Sequence, residues 1–402
     1  MQIFVFLMGL LLFIGLVLIH EWGHFIMARR NGVDVEEFGL GFPPRAKGIR
    51  LESGMLLSLN WLPLGGFVKM KGEHDSDVKK GSFGAAPLWS KTKILLAGVT
   101  MNLIAGLVLL TILAWIGMPK LITQDSVGQD QFTVASDTHI TQQKVQTGTF
   151  LKDSPAQAAG LRSSDIITAI TADGKTTQIH TIRQLHDATA SHAGKTVQVT
   201  YQRHGHTFTK SIRLTPQAAI DAADKVCQQK NDLSLCKGAL GVSPNQLQIQ
   251  RSTWSAPIVA LGLTKQITVL TFQGLGHALG GLGSAIAGLV TNNHQARVNG
   301  QESASSQVGG PVAIGVALWD SGSLGFNFML LLIALISLTL AIMNVLPIPA
   351  LDGGRLAMVL VSRGLFRRPL SRLAEERIVG ASFLIILALV ALITLVDVRR
   401  FF

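Results

Sequence analysis

Two cysteines and one tyrosine are all that this 402-residue sequence holds of those types, and only 15% of it is charged. The shortage of charge is uneven. Residues 3–19, 94–118, 326–346 and 378–396 carry none at all. A bilayer's hydrocarbon core takes about 20 apolar helical residues to cross. These runs exclude an ordinary soluble chain and predict four spans, with residues 119–325 between the second and third.

Other absences narrow the reading. No basic segment precedes the first run and no small-residue cleavage site follows it, which argues against a secretory signal. The run continues instead into HEWGHFIMARR, as an uncleaved anchor with its N-terminus outside would. Cys227 and Cys236 have eight residues between them, a loop that one disulfide can close in an oxidising compartment. Two free thiols is the alternative, and neither reading gives them a metal.

The charge that is present sits beside the spans. Eleven basic residues occupy 29–93, and Arg355, Arg363, Arg367, Arg368, Arg372 and Arg377 follow the third run. Lys and Arg near span ends set orientation, so both loops are expected in the cytosol; Arg399 and Arg400, then outside, run weakly against this. The net charge of +11 is explained by these flanks, without a nucleic-acid partner.

Between the first two spans, FGLGFPPRAKG and ESGMLLSLNWLPLGGFVKMKGE partly alternate, as short strands joined by turns do, with a bend at Pro63 and Gly65–Gly66. Such a hairpin leaves strand edges open. Residues 144–245 read as a compact α/β module: strands at 165–170, 195–203 and 206–214, and a helix at 181–190. From 254 to 325 the chain is rich in Gly and Ala, and Lys265, Gln266 and His277 interrupt its apolar stretches. Amphipathic or interfacial helices are expected there, a further true span being the other reading.

His20-Glu21-Trp22-Gly23-His24 is an HExxH sequence. Histidines at i and i+4 share one helix face and can grip one zinc ion, with Glu21 placed to reach a water rather than the metal. Ionisable residues at membrane depth are costly and mark function. His20 lies about 26 Å along the helix from Ile3, near the cytosolic side. A catalytic zinc takes three protein ligands and leaves a fourth position open. Pro347 and Pro349 break the third span at that same depth, and Asp352 is the acidic residue that lands there. A helix cap or a surface turn is the plainer reading of Asp352.

HEWGH (20–24) and NVLPIPALDGG (344–354) resemble the paired motifs of the site-2 protease family of intramembrane zinc metalloproteases. PLGGFVKM (63–70) is similar to that family's membrane-associated β-loop, and GVTMNLIAG (98–106) to its second-span segment. The resemblance implies Zn²⁺ held by His20, His24 and Asp352, with Glu21 as general base and acid. It also implies that Asn344 engages substrate backbone, although a hydrogen bond between helices would account for that residue equally. Gly65, Gly66, Phe67, Val68, Lys69 and Met70 form the strand expected to hold an extended substrate by edge pairing. The outer module resembles a circularly permuted bacterial PDZ domain, with Gly238–Val242 similar to its carboxylate-binding loop. Relatives with two tandem PDZ domains differ, since this chain has room for one.

The expected architecture is an α-helical polytopic membrane protein with four transmembrane helices, a membrane-associated β-loop and an extracytoplasmic α/β PDZ-like domain. Residues 1–118 would hold two spans, HExxH and the β-loop; 119–250 the PDZ-like domain; 251–325 interfacial helices; and 326–402 the last two spans. The expected place is the bacterial inner membrane, with both termini outside and the site near the cytosolic face. The expected activity is cleavage of single-span membrane proteins already trimmed outside, an anti-sigma factor or a remnant signal peptide. A PDZ scaffold without catalysis has no need of Glu21, and a metal transporter needs polar residues along its spans that are missing here.

Overall fold

The computed structural model describes residues 2–122, 129–203, 205–230, 238–290 and 310–401. The chain opens with helix α1 (Gln2–Arg30), runs through strands β1 (Val35–Arg50) and β2 (Leu56–Met70), and returns in α2 (Leu88–Ile116). It then forms β3 (Met118–Pro119), β4 (His139–Phe150), α3 (Pro155–Ala158), β5 (Ile166–Ala172) and β6 (Lys175–Gln178). After these come α4 (Ile182–Ala190), β7 (Thr196–Arg203), β8 (His206–Arg213), α5 (Gln217–Lys230) and β9 (Val242–Arg251). The last part comprises α6 (Ala256–Val290), α7 (Pro311–Leu324), α8 (Phe326–Val345), α9 (Asp352–Leu360), a π-helical turn at Val361–Leu365 and α10 (Arg372–Phe401). Two compact units result. The first is Met1–Ile116, Phe132–Val134 and Trp254–Phe402, and the second is Gly117–Gln131 and Ala135–Thr253.

In the first unit, five helices among the described residues are long and apolar enough to cross a membrane: Ile3–Arg30, Leu88–Ile116, Ala256–Gly281, Phe326–Val345 and Arg372–Val398. Phe4, Leu11, Leu384 and Ile385 are each more than 60% exposed, as suits surfaces that lipid rather than water covers. Four of the five match the uncharged runs of the sequence. The fifth lies where the sequence allows interfacial helices or a further span, and residues 256–290 form one continuous helix there. Lys265 is exposed on its surface, and Gln266 accepts a hydrogen bond from the Phe132 amide at 3.0 Å. A helix bonds its own backbone, so isolated polar side chains need not break it.

The C-terminal part of α1 meets the segment that follows α8, and it also meets the start of α2, where Ile94 bonds to His24. α1 and α8 therefore run in one sense and α2 in the other. The chain leaves α2 and starts α8 at the same end of the bundle. A crossing by α6 thus requires a return before α8; residues 291–309 lie outside the described set. α10 is held at its acidic first turn, by Glu375, and at two further places. The Ala350 amide donates to Ser382 Oγ at 3.3 Å, and Asp397 near its far end accepts from the Ala313 amide at the start of α7 at 3.0 Å.

β1 and β2 each bend back, so their halves form four strands. Phe38 pairs with both Val68 and Leu57, Leu40 with Gly66 and Leu59, and Lys47 with Leu59. The order across this sheet is 66–70, 35–40, 56–60, 45–50, which leaves 66–70 as an edge. Ala28, Val33, Met70, Phe83, Ile94 and Leu95 form the core that binds the sheet to α1 and α2.

A buried charged hub ties this region to α9 and α10. Asp75 bonds to the fully buried Lys91 and accepts from Arg363 Nε at 2.8 and 2.9 Å. The Asp75 amide donates to Glu375 at 3.1 Å, and Arg355 donates to the Glu73 carbonyl at 3.3 Å.

The second unit is built on one antiparallel sheet, in the order β3-β9-β4-β5-β7-β8, with β6 beside β5. Val145, Ile167, Ile170, Val197, Val199, Tyr201 and Ile212 fill its core. A capping box at Thr181 and Gln184 starts α4. The Asp173–Gly174 turn takes positive φ at both residues. Gly238–Gly241 turns into β9, with Leu240 and Gly241 accepting from the Ala156 and Leu151 amides. Cys227 is disulfide-bonded; Cys236 lies outside the described residues.

Asp75→Ala leaves Lys91 buried without its counter-charge, which typically costs about 3–5 kcal/mol. The substituted protein in detergent is expected to melt well below the unsubstituted one. Equal melting temperatures would show that the hub contributes nothing to stability.

Candidate metal centre

His20 and His24 stand one above the other on α1, with rings 4.8 Å apart. Their Nε2 atoms are 3.2 Å apart, and Asp352 Oδ2 lies 3.2 Å from each. Asp352 begins α9 and owes its position to the broken end of α8. Leu346 is extended, Pro347 and Pro349 offer no amide hydrogen, and the chain turns through Leu351 N–H to the Ile348 carbonyl. Gly353 and Gly354 lie against the carbonyls of Val345 and Ile348, where a Cβ would collide.

The triangle fits zinc. Bonds of about 2.0–2.1 Å in a tetrahedron put neighbouring ligand atoms about 3.3 Å apart, close to all three observed edges. Two imidazole nitrogens and one carboxylate oxygen also form a donor set that leaves a fourth position open. Gly98 of α2 supplies the room, since a Cβ there would overlap Nε2 of both histidines. Gly23 lets the helices approach, a Cβ on it falling 2.6 Å from the Ala97 carbonyl oxygen. His24 Nδ1–H donates to the Ile94 carbonyl at 2.8 Å, which turns the lone pair of Nε2 toward the centre. Asn102 lies 3.3 Å from His20 Nδ1.

Glu21 interacts electrostatically with all three donors, and the Val68 backbone amide is within hydrogen-bonding reach of its carboxylate. Gly66 is pressed beside it, since a Cβ on Gly66 would lie 3.2 Å from Glu21 Cγ. Gly65 and Val17 help to line a small apolar cavity next to this point. The remaining β-loop residues face elsewhere. Phe67 covers Gly39, Lys69 pairs with Glu36 at 3.2 Å, and Met70 is buried in the core. Asn344 is half-buried in the last turn of α8, and its side chain has no hydrogen-bond partner among the described residues.

Sequence reasoning singled out 98–106 by resemblance alone and gave no role to Ile94, Gly98 and Asn102, which recur every four residues along α2. A glycine and an asparagine inside an uncharged span were the available signal, because a polar group at that depth needs a reason. His20, His24 and Asp352 are the one group of three or more His, Cys, Asp or Glu residues among the described ones able to hold a metal ion.

Residues 8–389 match the family described as Peptidase family M50. The chain belongs to this family, that of the site-2 proteases. A Nostoc protein named "Putative zinc metalloprotease" is 30% identical over 388 residues, covering 93% of this chain and 90% of that protein. Proteins of the same designation from Clostridium perfringens and Campylobacter jejuni are 27% identical over 390 residues and 29% over 408. They cover 97% and 98% of this chain, and 97% and 93% of their own lengths. As an M50 protein the chain is a zinc metalloprotease, and its apolar helices make it a membrane protein.

Gly98→Ala removes no donor from this M50 chain, yet it places a methyl group where the ligand atoms meet. Zinc content of the purified protein is expected to fall at least about tenfold, the size of effect seen when ligand surroundings are disturbed. Full occupancy would show that α2 can move aside.

Proposed function

We propose that the chain is an intramembrane endopeptidase that cuts the transmembrane segment of single-span membrane proteins already trimmed outside. One observation carries the reading: three donors form a zinc-sized triangle beside Glu21, at the ends of apolar helices. His20, His24 and Asp352 hold the zinc ion. Zinc supplies Lewis acidity, which polarises a carbonyl and acidifies a water molecule. Glu21 is placed to take a proton from the attacking water and return it to the leaving amide nitrogen. Its reach to the Val68 amide and its neighbour Gly66 keep the carboxylate beside the strand edge.

Residues 66–70 hold the substrate. A transmembrane helix hides its backbone in its own hydrogen bonds, so it must unwind locally before it is cut. An edge strand offers the unwound segment new partners, and Gly66 without a side chain allows close approach. Asn344 has an amide without a partner among the described residues and takes up one of the substrate's backbone groups. Substrates of the anti-sigma-factor or remnant-signal-peptide kind in regulated proteolysis fit this arrangement.

The centre lies near the cytosolic face of the bacterial inner membrane, since basic residues cluster at 29–93 and 355–377. Residues between α2 and α6 then lie outside, and the form of the second unit supports a PDZ-like role for it. Between Val242 and Leu247, β9 pairs only with β4 among the described residues. The side chain of Gln246 bonds to the Ile182 amide and the His180 carbonyl, drawing the start of α4 to β9. A chain end added along that edge is the recognition expected of such a domain.

Glu21→Gln is expected to keep its zinc and lose about 10²–10⁴-fold in cleavage of a model transmembrane substrate. Near-normal cleavage by the purified variant would remove Glu21 from the chemistry. Membrane fragments accumulating around this variant in cells would identify the natural substrates.

Topology is tested separately. Single cysteines at Ser53, Ser191 and Ser371, each exposed, are placed in a variant lacking Cys227 and Cys236. A membrane-impermeant thiol reagent added to intact cells is expected to label Ser191→Cys alone. Labelling of Ser371→Cys would put the segment after α8 outside and contradict the orientation.

A further inference from the structure

His20 and His24 present the same atom, Nε2, to the centre. Each ring must therefore carry its proton on Nδ1, leaving the Nε2 lone pair free for metal. For His24 this is enforced, because the Ile94 carbonyl at 2.8 Å can only accept. For His20, the one hydrogen-bond partner of Nδ1 among the described residues is the side-chain amide of Asn102, whose nitrogen lies 3.3 Å away. An amide nitrogen donates. With that end forward Nδ1 must accept, and the ring proton is driven onto Nε2, the atom facing Asp352. That tautomer binds no metal.

The other end of the amide is idle. Asn102 is 1% exposed, and its Oδ1 is buried without a partner. A half-turn about Cβ–Cγ exchanges the two ends. Oδ1 then accepts from Nδ1–H, and the lone pair of His20 Nε2 faces the centre as that of His24 does. An amide buried with one end unused is less stable than an apolar residue of similar size, so packing alone gives no reason for it. Its backbone is meanwhile fixed, since Ser337 Oγ of α8 donates to the Asn102 carbonyl at 2.7 Å. The side chain can turn without the helix moving.

We propose that Asn102 is a positioning residue of the metal centre, whose side-chain carbonyl accepts from His20 Nδ1–H and holds His20 in its metal-binding tautomer. The inference rests on the assignment of His20, His24 and Asp352 as zinc ligands. α2 thereby serves both histidines from one face: Ile94 orients His24, Gly98 makes room for the ligand atoms, and Asn102 orients His20.

The test uses the full chain in detergent, stripped of metal and titrated with zinc against a chelating dye. Asn102→Leu keeps the volume and loses the acceptor; Asn102→Asp keeps the acceptor. The leucine variant is expected to bind zinc about 10–100-fold more weakly, the usual effect of losing a hydrogen bond behind a metal-ligating histidine. The metal-free melting temperature should not fall. The aspartate variant is expected to bind zinc as tightly as the unsubstituted protein or more tightly. Unchanged affinity in the leucine variant overturns the proposal. So does an equal loss in both variants together with lowered metal-free melting, which would assign a packing role. His24→Ala in the same titration separates the two levels. Full zinc affinity there would remove the ligand assignment and this inference with it, whereas loss there beside an unaffected leucine variant overturns the inference alone.

Discussion

Asp352 stands 3.2 Å from both His20 and His24, although 328 residues of chain separate it from the latter. Much of the first unit can be read as what that closeness requires. α1 and α8 must run in one sense, and the chain between α2 and α8 must leave and return at one end of the bundle. α8 must stop where it does, and the prolines stop it. Two successive glycines must then lie against the freed carbonyls, because backbone released at this depth has little water to turn to. None of these features is local. Each follows from bringing one oxygen to two nitrogens.

Low dielectric surroundings also explain how polar groups are distributed. They occur in sets in which most partners are supplied. The two histidines, Asp352 and Glu21 form one set, backed by a stripe on α2. Asp75, Lys91, Arg363 and Glu375 form another. The second set braces the first: Arg355 and Arg363 follow Asp352 within one short stretch and are tied to residues 73–75. The charged hub thus anchors α9 and the π-helical turn that follows it. Lone buried charges would be expensive in this setting, and removing one partner of a buried pair is strongly destabilising.

The parts legible in the sequence were those with a strong local signal. Uncharged runs marked four of the apolar helices, and spacing of four marked the two histidines. Proline followed by Asp-Gly-Gly marked the third donor. In the second unit, β5, β7, β8 and α4 fell within one or two residues of their expected bounds, because alternation and turn residues act over short range. What escaped was long-range. β4 and β9 pair along their length from positions some hundred residues apart, and strands as polar as HITQQKVQTGTF and VSPNQLQIQR carry little pattern. In β1 and β2 the bend at Pro63 and Gly65–Gly66 was legible from its turn residues, whereas the pairing of Phe38 with both Val68 and Leu57 was not. In α6 the polar residues interrupt the apolar pattern while leaving the backbone ladder intact, so the sequence alone leaves interfacial helices and a further span both open. Ile94 escaped altogether, since it acts through its carbonyl, which every residue has.

α10 is long and strongly apolar, yet its central window buries none of its residues. Among the described residues, most of its side chains are not enclosed by protein neighbours whose shape they must match. Hydropathy and length are then nearly the only demands on them, and one aliphatic residue serves as well as another. Ser382, Asp397 and the acidic first turn are the exceptions, being the points where this helix meets the rest of its unit. Sequence drift among relatives should therefore be fast and conservative in character along α10, and slow along α2, where a single methyl group at Gly98 meets the ligands.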